Sequence, residues 1–364
     1  MDERAIQRLS GRLDAHWAQL VEIVGQLANV LRSTPPRNVH ELRGLVRAID
    51  AAVLGLNPIM LDVNRELAAA AAGTTQLRQI ELVSRINNHR AAAHRWHQIR
   101  DLVERQSNEP RTRLMRPVPS TRRFRDEQTR LADDLFNALH TAISKSKQDP
   151  AAASLGAFPD IGLNNSDFVE LTHAAYRVLM AMGRASGSFL DVGCGAGIKL
   201  IGASRFFGDV AGIDVDAGYI STARQLLRDA NLGRVTLIHG NALTFEHYGH
   251  YDLIYFFRPL RDDALLLELE RRIATNAADG TLLLAPYVGF GYRFRELGCR
   301  RLARGLYIKG AGYREAQALV RRAIWTGPAV RPPRDPLPGL WEPVLRASHA
   351  WGFDVNRAGR LDGA

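Results

Sequence analysis

Cysteine is nearly missing: Cys194 and Cys299 are the two in 364 residues. Two thiols cannot build a disulfide framework, which excludes the small cross-linked extracellular scaffolds. Lysine is scarce too. Lys145, Lys147, Lys199 and Lys309 are the four lysines among 48 basic residues. An arginine excess of this kind reflects either a coding bias or an anionic partner such as RNA. No run approaches eighteen consecutive apolar residues, so no transmembrane span is expected. Met1 to Trp17 is dense in charge and lacks the apolar stretch of a secretory signal. These absences lead to the expectation of a cytoplasmic protein without a membrane partner.

What is present fits a globular chain. The apolar fraction is 46% and the charged fraction 24%, both ordinary for a folded protein. The length favours two domains. The net charge of +10 is shared evenly: residues 1–165 hold 23 basic and 18 acidic side chains, and the rest of the chain 25 and 20.

The first 148 residues read as helical. Leu13, Trp17, Leu20, Val24, Leu27 and Leu31 recur in steps of four and three within a helix over 3–32. That seam suits either a helix packed in a bundle or a homodimer contact. A second helix is expected over 39–54, broken at Asn57-Pro58 and followed by a shorter one. After a break at Gly73-Thr74-Thr75, a further helix runs to about Arg105. It carries His89, His94 and His97, which no acidic residue completes into a metal site. Pro110 to Arg125 holds six arginines and no acid before Arg125, which reads as a solvated linker or a phosphate-contacting arm. A helix with Leu131, Leu135, Leu139 and Ile143 on its apolar face follows. Residues 149–165 read as a linker.

From 166 the pattern changes. Helix 167–183 is followed by apolar runs alternating with helical stretches, at 189–192, 210–215, 235–239, 251–257 and 281–286. That alternation implies a parallel sheet covered on both faces. Residues 300–310 supply the last strands, and 313–325 a late helix. Six prolines interrupt the chain from Thr326 onward, so 326–364 is expected to be a Pro-rich tail with little regular structure.

The first of those strands runs straight into Asp191-Val192-Gly193-Cys194-Gly195-Ala196-Gly197. A Gly-rich turn between strand and helix lets the backbone approach a nucleotide-like ligand. It is not a dinucleotide fingerprint: the third glycine of G-x-G-x-x-G would be Ile198 or Leu200 in the two registers. A P-loop is excluded because no Lys-Ser/Thr pair ends the turn.

FLDVGCGAG (189–197), GIDVD (212–216), HGNAL (239–243) and YDLIYFFRPL (251–260) together resemble the class I S-adenosylmethionine-dependent methyltransferases over residues 166–310. The resemblance implies a Rossmann-like, doubly wound, mainly parallel seven-stranded α/β sheet, here preceded by an all-α domain. It implies S-adenosyl-L-methionine as cofactor. Asp191, Gly193, Cys194, Gly195 and Gly197 would hold the methionine end. Asp214, with Val215 beside it, would take the ribose hydroxyls; Asp216 is the less favoured alternative. Asn241, where the family often has Asp, and the Ala242 backbone would meet adenine. At the fourth strand, Phe257-Arg258-Pro259-Leu260 lacks the polar acceptor of base N-methylating members. Tyr255 and Arg258 are left as candidates to orient an unidentified methyl acceptor. A second basic stretch, Arg293 to Arg322, holds nine cations against Glu296 and Glu315; it reads as an RNA-facing surface or as solvated helices. The alternative to an enzyme is a methyltransferase-like scaffold that binds without turnover.

Overall fold

The computed structural model describes residues 3–35, 37–69, 77–108, 112–115, 127–144, 148–160, 162–184, 187–327 and 339–355. The Gly73-Thr74-Thr75 break and, apart from 112–115, the 110–125 arginine run lie outside them. The chain divides into two compact units: Met1–Arg111 with Gly327–Arg360, and Thr112–Thr326 with the last residues. The domain boundary thus falls some 35 residues before the expected one, between Arg111 and Thr112.

The first unit contains α1 (Glu3–Arg32), α2 (Val39–Ala68), α3 (Leu77–His94), α4 (Trp96–Asn108) and α13 (Glu342–His349). The α1 seam is buried by α2, α4 and α13: Leu20, Val24, Leu27 and Leu31 join Leu42, Ile49, Leu102, Val344 and Leu345 in one core. The seam that suggested a dimer contact is therefore filled within the chain itself. α2 does not break at Pro58, which sits inside it. A helix-interior proline costs about 3 kcal/mol, and burial of Leu56, Ile59 and Val63 among Leu9, Leu13 and Leu82 offsets that cost. α2 is also the one helix among the described residues long and apolar enough to cross a bilayer by length and composition; Leu42, Ile49, Leu56, Ile59 and Val63 are buried in these cores, while Leu54 and Leu61 are exposed.

The expected tail is corrected in its described part. Residues 339–355 form α13 with flanking turns, and they close the core of the first unit. Trp341 is 3% exposed, stacks on Trp96 with centroids 5.2 Å apart and donates its Nε1–H to the Ala92 carbonyl at 2.8 Å. Pro343 sits in the first turn of this helix, and its apolar and aromatic residues decide its burial. Trp341→Ala is expected to cost about 3–5 kcal/mol, read as a lowered unfolding midpoint of the helical unit. A loss under about 1 kcal/mol would contradict this packing.

The second unit contains a seven-stranded sheet in the order β3-β2-β1-β4-β5-β7-β6. The strands are β1 (Ser188–Val192), β2 (Asp209–Asp214), β3 (Thr236–His239), β4 (Leu253–Phe256), β5 (Leu282–Leu284), β6 (Cys299–Ala303) and β7 (Leu306–Lys309). β1 to β5 pair in parallel, and β7 pairs antiparallel with both β5 and β6. The helices are α5 (Glu127–Ile143), α6 (Pro150–Ser154), α7 (Asn165–Ala181), α8 (Ile198–Ala203), α9 (Ala217–Asp229), α10 (Asp263–Asn276), α11 (Val288–Arg293) and α12 (Tyr313–Ala323). β1 and β4 are neighbours while their crossovers diverge, so a topological switch point lies at their carboxyl ends, where such sheets hold ligands.

α5 is turned opposite to the expectation. Leu131, Leu135 and Leu139 are exposed, and the buried residues are Asp133 and His140. The polar face wins because it has specific partners. Asp133 accepts from the Ser166 N–H at 2.8 Å and Oγ–H at 2.6 Å at the start of α7, and His140 Nε2 lies 3.0 Å from the Asp160 carboxylate.

Candidate functional site

β1 ends in a turn whose glycines Gly193, Gly195 and Gly197 all hold left-handed φ, at +81°, +52° and +78°. At Gly195 two constraints coincide: the φ, and a Cβ that would collide with the Asp160 carboxylate. Gly197 serves helix packing instead, since a Cβ there would come 2.8 Å from Ala223 Cβ on α9.

One cavity of about 760 Å³ opens along the carboxyl ends of the strands, within the range of about 300–1,000 Å³ usual for small-molecule sites. On the β1–β3 side it is lined by Gly193, Gly195, Asp214, Val215, Asn241 and Ala242. On the β4–β5 side it is lined by Arg258, Pro259, Leu266, Tyr287 and Arg293, among others. Of the residues singled out in the sequence, Asp191, Cys194, Gly197 and Tyr255 do not line it.

Asp214 ends β2. Its Oδ2 accepts the Gly195 N–H and its Oδ1 the Asp216 N–H, each at 2.9 Å. Burial raises its pKa, although these two bonds pull the other way. Each oxygen keeps a further lone pair, and Asp214 lines the cavity. Asp216 is spoken for: it is 1% exposed, caps α9 through the Gly218 and Tyr219 N–H groups and accepts the Asp149 N–H at 2.7 Å. Asn241 uses its Oδ1 to accept the Leu243 N–H at 2.9 Å, so that oxygen already shapes the turn after β3.

Asp191 is buried behind the turn at 2% exposure. Burial first, then the Asp160 and Asp214 charges, raise its carboxyl well above the usual range, while Lys199 opposes this. A carboxyl raised in the folded state favours folding below its unfolded pKa of about 3.9, and the contribution is lost as pH rises through the folded value. Asp191→Asn removes the buried charge. It is expected to raise the melting temperature at pH 8 and to leave it nearly unchanged at pH 4; an equal shift at both would contradict this reading.

Tyr255 is corrected from site to core. Along β4, Ile254 and Phe256 face one layer and Tyr255 the other, where it meets Phe168 edge-on at 5.1 Å between centroids and stacks on Phe189. Cys194 is 5% exposed, and burial raises its thiol well above the ordinary value. Its side chain fills the space left by Gly212.

Two clusters escape the sequence reading. The first is Asp160, in the presumed linker. Its Oδ2 accepts the Ala196 N–H and the Ser144 hydroxyl, each at 2.9 Å. Burial raises its pKa, but contacts with His140, Ala196 and Ser144 outweigh this and hold it below the ordinary value. No spacing announces this residue. The second is Glu270 on α10, which is 0% exposed. It accepts from Tyr287 Oη at 2.7 Å and from Arg293 at 2.8 and 2.5 Å. A signal existed here: Glu270 sits among Leu266, Leu269 and Ile273 on the apolar face of its helix.

Much of the second basic stretch is spent internally. Arg293 holds Glu270, Arg301 Nη2 donates to the Gly291 carbonyl at 2.9 Å, Arg304 lies 3.8 Å from Asp167 and Lys309 lies 3.4 Å from Asp279.

Residues 189–274 match the family described as "Methyltransferase domain". This segment is thus similar to a methyltransferase domain, and the seven-stranded sheet around it has the mainly parallel arrangement expected from the motifs. No curated protein matches the chain. Among solved structures it is similar to an RNA methyltransferase from Salinibacter ruber in complex with S-adenosyl-L-homocysteine, at 17% identity and TM-score 0.28, over 34% of this chain and 76% of that one. It is similar to an amino pentose methyltransferase from Micromonospora echinaspora at 20% and 0.28, over 42% and 56%. It is also similar to the magnesium protoporphyrin IX methyltransferase of Synechocystis PCC 6803 at 14% and 0.31, over 50% and 89%. At such identities and scores the likenesses do not bear on substrate.

Proposed function

We propose that the second unit binds S-adenosylmethionine and transfers its methyl group to a small molecule held in the same cavity. The observation that carries this is Asp214: a fixed carboxylate on the cavity wall, beside a Gly-rich turn that leaves Gly193 and Gly195 bare of side chains. Two acceptor oxygens suit the vicinal diol of a ribose. Asp216 is excluded from that role by its three backbone partners. Asp160, on the same wall, supplies negative charge for the cationic methionine end, the part first assigned to Asp191. Asn241 and Ala242 line the same cavity, which supports their assignment to adenine.

The cofactor supplies a methyl carbon already activated by a sulfonium. The chain's own part is then positioning and exclusion of water, with a dedicated base optional. Calorimetry of the full chain with S-adenosylmethionine and S-adenosylhomocysteine tests the cofactor. Methyl-labelled cofactor incubated with fractionated extract tests the transfer. Saturable binding and label in a small-molecule fraction are expected; failure to bind either compound would refute the reading.

A further inference from the structure

The β4–β5 side of the cavity differs in chemistry from the Asp214 side. Leu155, Phe158, Leu266, Leu269 and Val288 give it apolar walls. Its charged groups are mostly closed on one another. Arg293 and Tyr287 are both bound to the buried Glu270. Arg261 and Asp262, next along the chain, do not line the cavity: Asp262 spends a carboxylate oxygen on the Ala264 and Leu265 N–H groups at the start of α10. Arg261 lies over Phe158 and reaches Gln148 at 3.5 Å.

Arg258 is the exception. Its backbone is held at φ +46°, in the left-handed region that a long side chain seldom adopts. Its guanidinium lies 5.7 Å from the Phe158 ring centroid. Its ion-pair partner is Asp263 at 3.2 Å, a side chain 86% exposed. Water screens so exposed a pair, and it exchanges readily. Arg258 lines the cavity with 48% of its side chain exposed, and a planar guanidinium suits two-pronged binding of an oxyanion. Among the described residues, the carboxylate lining this side is Asp263, at the rim beside Arg258, whereas Asp160 and Asp214 line the cofactor side; a cationic acceptor is therefore disfavoured next to Arg258.

We propose that the methyl acceptor is an apolar small molecule carrying a compact oxyanion, a carboxylate or a phosphate, for which Arg258 gives up Asp263. The assignment of an acceptor rests on the cofactor reading above; the oxyanion site itself is tested separately. Ligand-observed NMR on the full chain, with and without saturating S-adenosylhomocysteine, would compare four matched probes: 3-phenylpropionate, 2-phenylethyl phosphate, 3-phenylpropanamide and 3-phenylpropylamine. At least one anion is expected to bind about ten-fold or more tightly than the amide and the amine. That preference should fall about ten-fold in Arg258→Asn. Asn tolerates a left-handed backbone, so this variant removes the charge and keeps the turn. Arg258→Lys should be intermediate. Preference for one anion over the other decides between carboxylate and phosphate. Equal binding of the amine or amide, undiminished anion binding by Arg258→Asn, or no binding of either anion would overturn the proposal. Unchanged S-adenosylhomocysteine affinity in Arg258→Asn shows that the fold and cofactor side are intact. Arg258-dependent anion binding in a chain that does not bind S-adenosylhomocysteine would uphold the site and refute the cofactor.

Discussion

Asp214→Ala is expected to weaken binding of S-adenosylhomocysteine roughly 100-fold or more, measured by calorimetry. A hydrogen bond to a charged group is worth about 1.5–3 kcal/mol. Loss of two ribose contacts therefore accounts for about 3–6 kcal/mol, and each 1.4 kcal/mol is ten-fold in affinity. The carboxylate also holds the Gly195 and Asp216 N–H groups, so its removal should loosen the Gly-rich turn beside the proposed cofactor site. Stability should change less than affinity. Burial raises the Asp214 pKa in the folded protein, and Ala relieves that burial cost while orphaning two N–H groups at the edge of the cavity. Asp214→Asn keeps one acceptor oxygen and turns an amide toward one N–H donor, so intermediate affinity is expected. A folded Asp214→Ala protein that binds as wild type would remove the ribose assignment.

The glycine turn and the strand alternation were legible because their causes are local. A buried parallel strand needs a continuous apolar run, and a tight approach needs residues without side chains. Asp214 was legible by its place at a strand end. Asp160 was not, because its role depends on α5 and on the 148–160 stretch folding back over the turn, and neither periodicity nor spacing encodes that return. The inward face of α5 is hidden from the sequence for a related reason. Leu131, Leu135 and Leu139 make the better apolar stripe, but Asp133 and His140 have fixed partners, and a buried polar group left without a partner costs more than an exposed leucine. At α13, the count of prolines masked an eight-residue helix. Tyr255 shows the limit of proximity in sequence: it is three residues from Arg258, yet strand alternation sends it into the opposite layer.

Arg293→Ala is expected to be the most destabilising substitution on the β4–β5 side, by about 3–5 kcal/mol, read from denaturant unfolding. The reason is asymmetry. Arg293 is partly exposed, with 29% of its side chain reaching solvent, whereas Glu270 has none. Removing Arg293 leaves a fully buried carboxylate with Tyr287 as its remaining charge-stabilising partner among the contacts described, and breaking a buried pair from one side costs about that much. Lost packing alone would also destabilise, so a second variant separates the causes. Arg293→Met combined with Glu270→Leu removes both charges and keeps much of the volume, and should recover most of the loss. If the double variant is as unstable as Arg293→Ala, packing and not the unpaired carboxylate is responsible. S-adenosylhomocysteine affinity should stay near wild type in both, because Asp214, Asn241 and the glycine turn lie on the other side of the cavity. A large fall in that affinity would mean that the two sides do not act independently, and that the Glu270 cluster also sets the position of the cofactor turn.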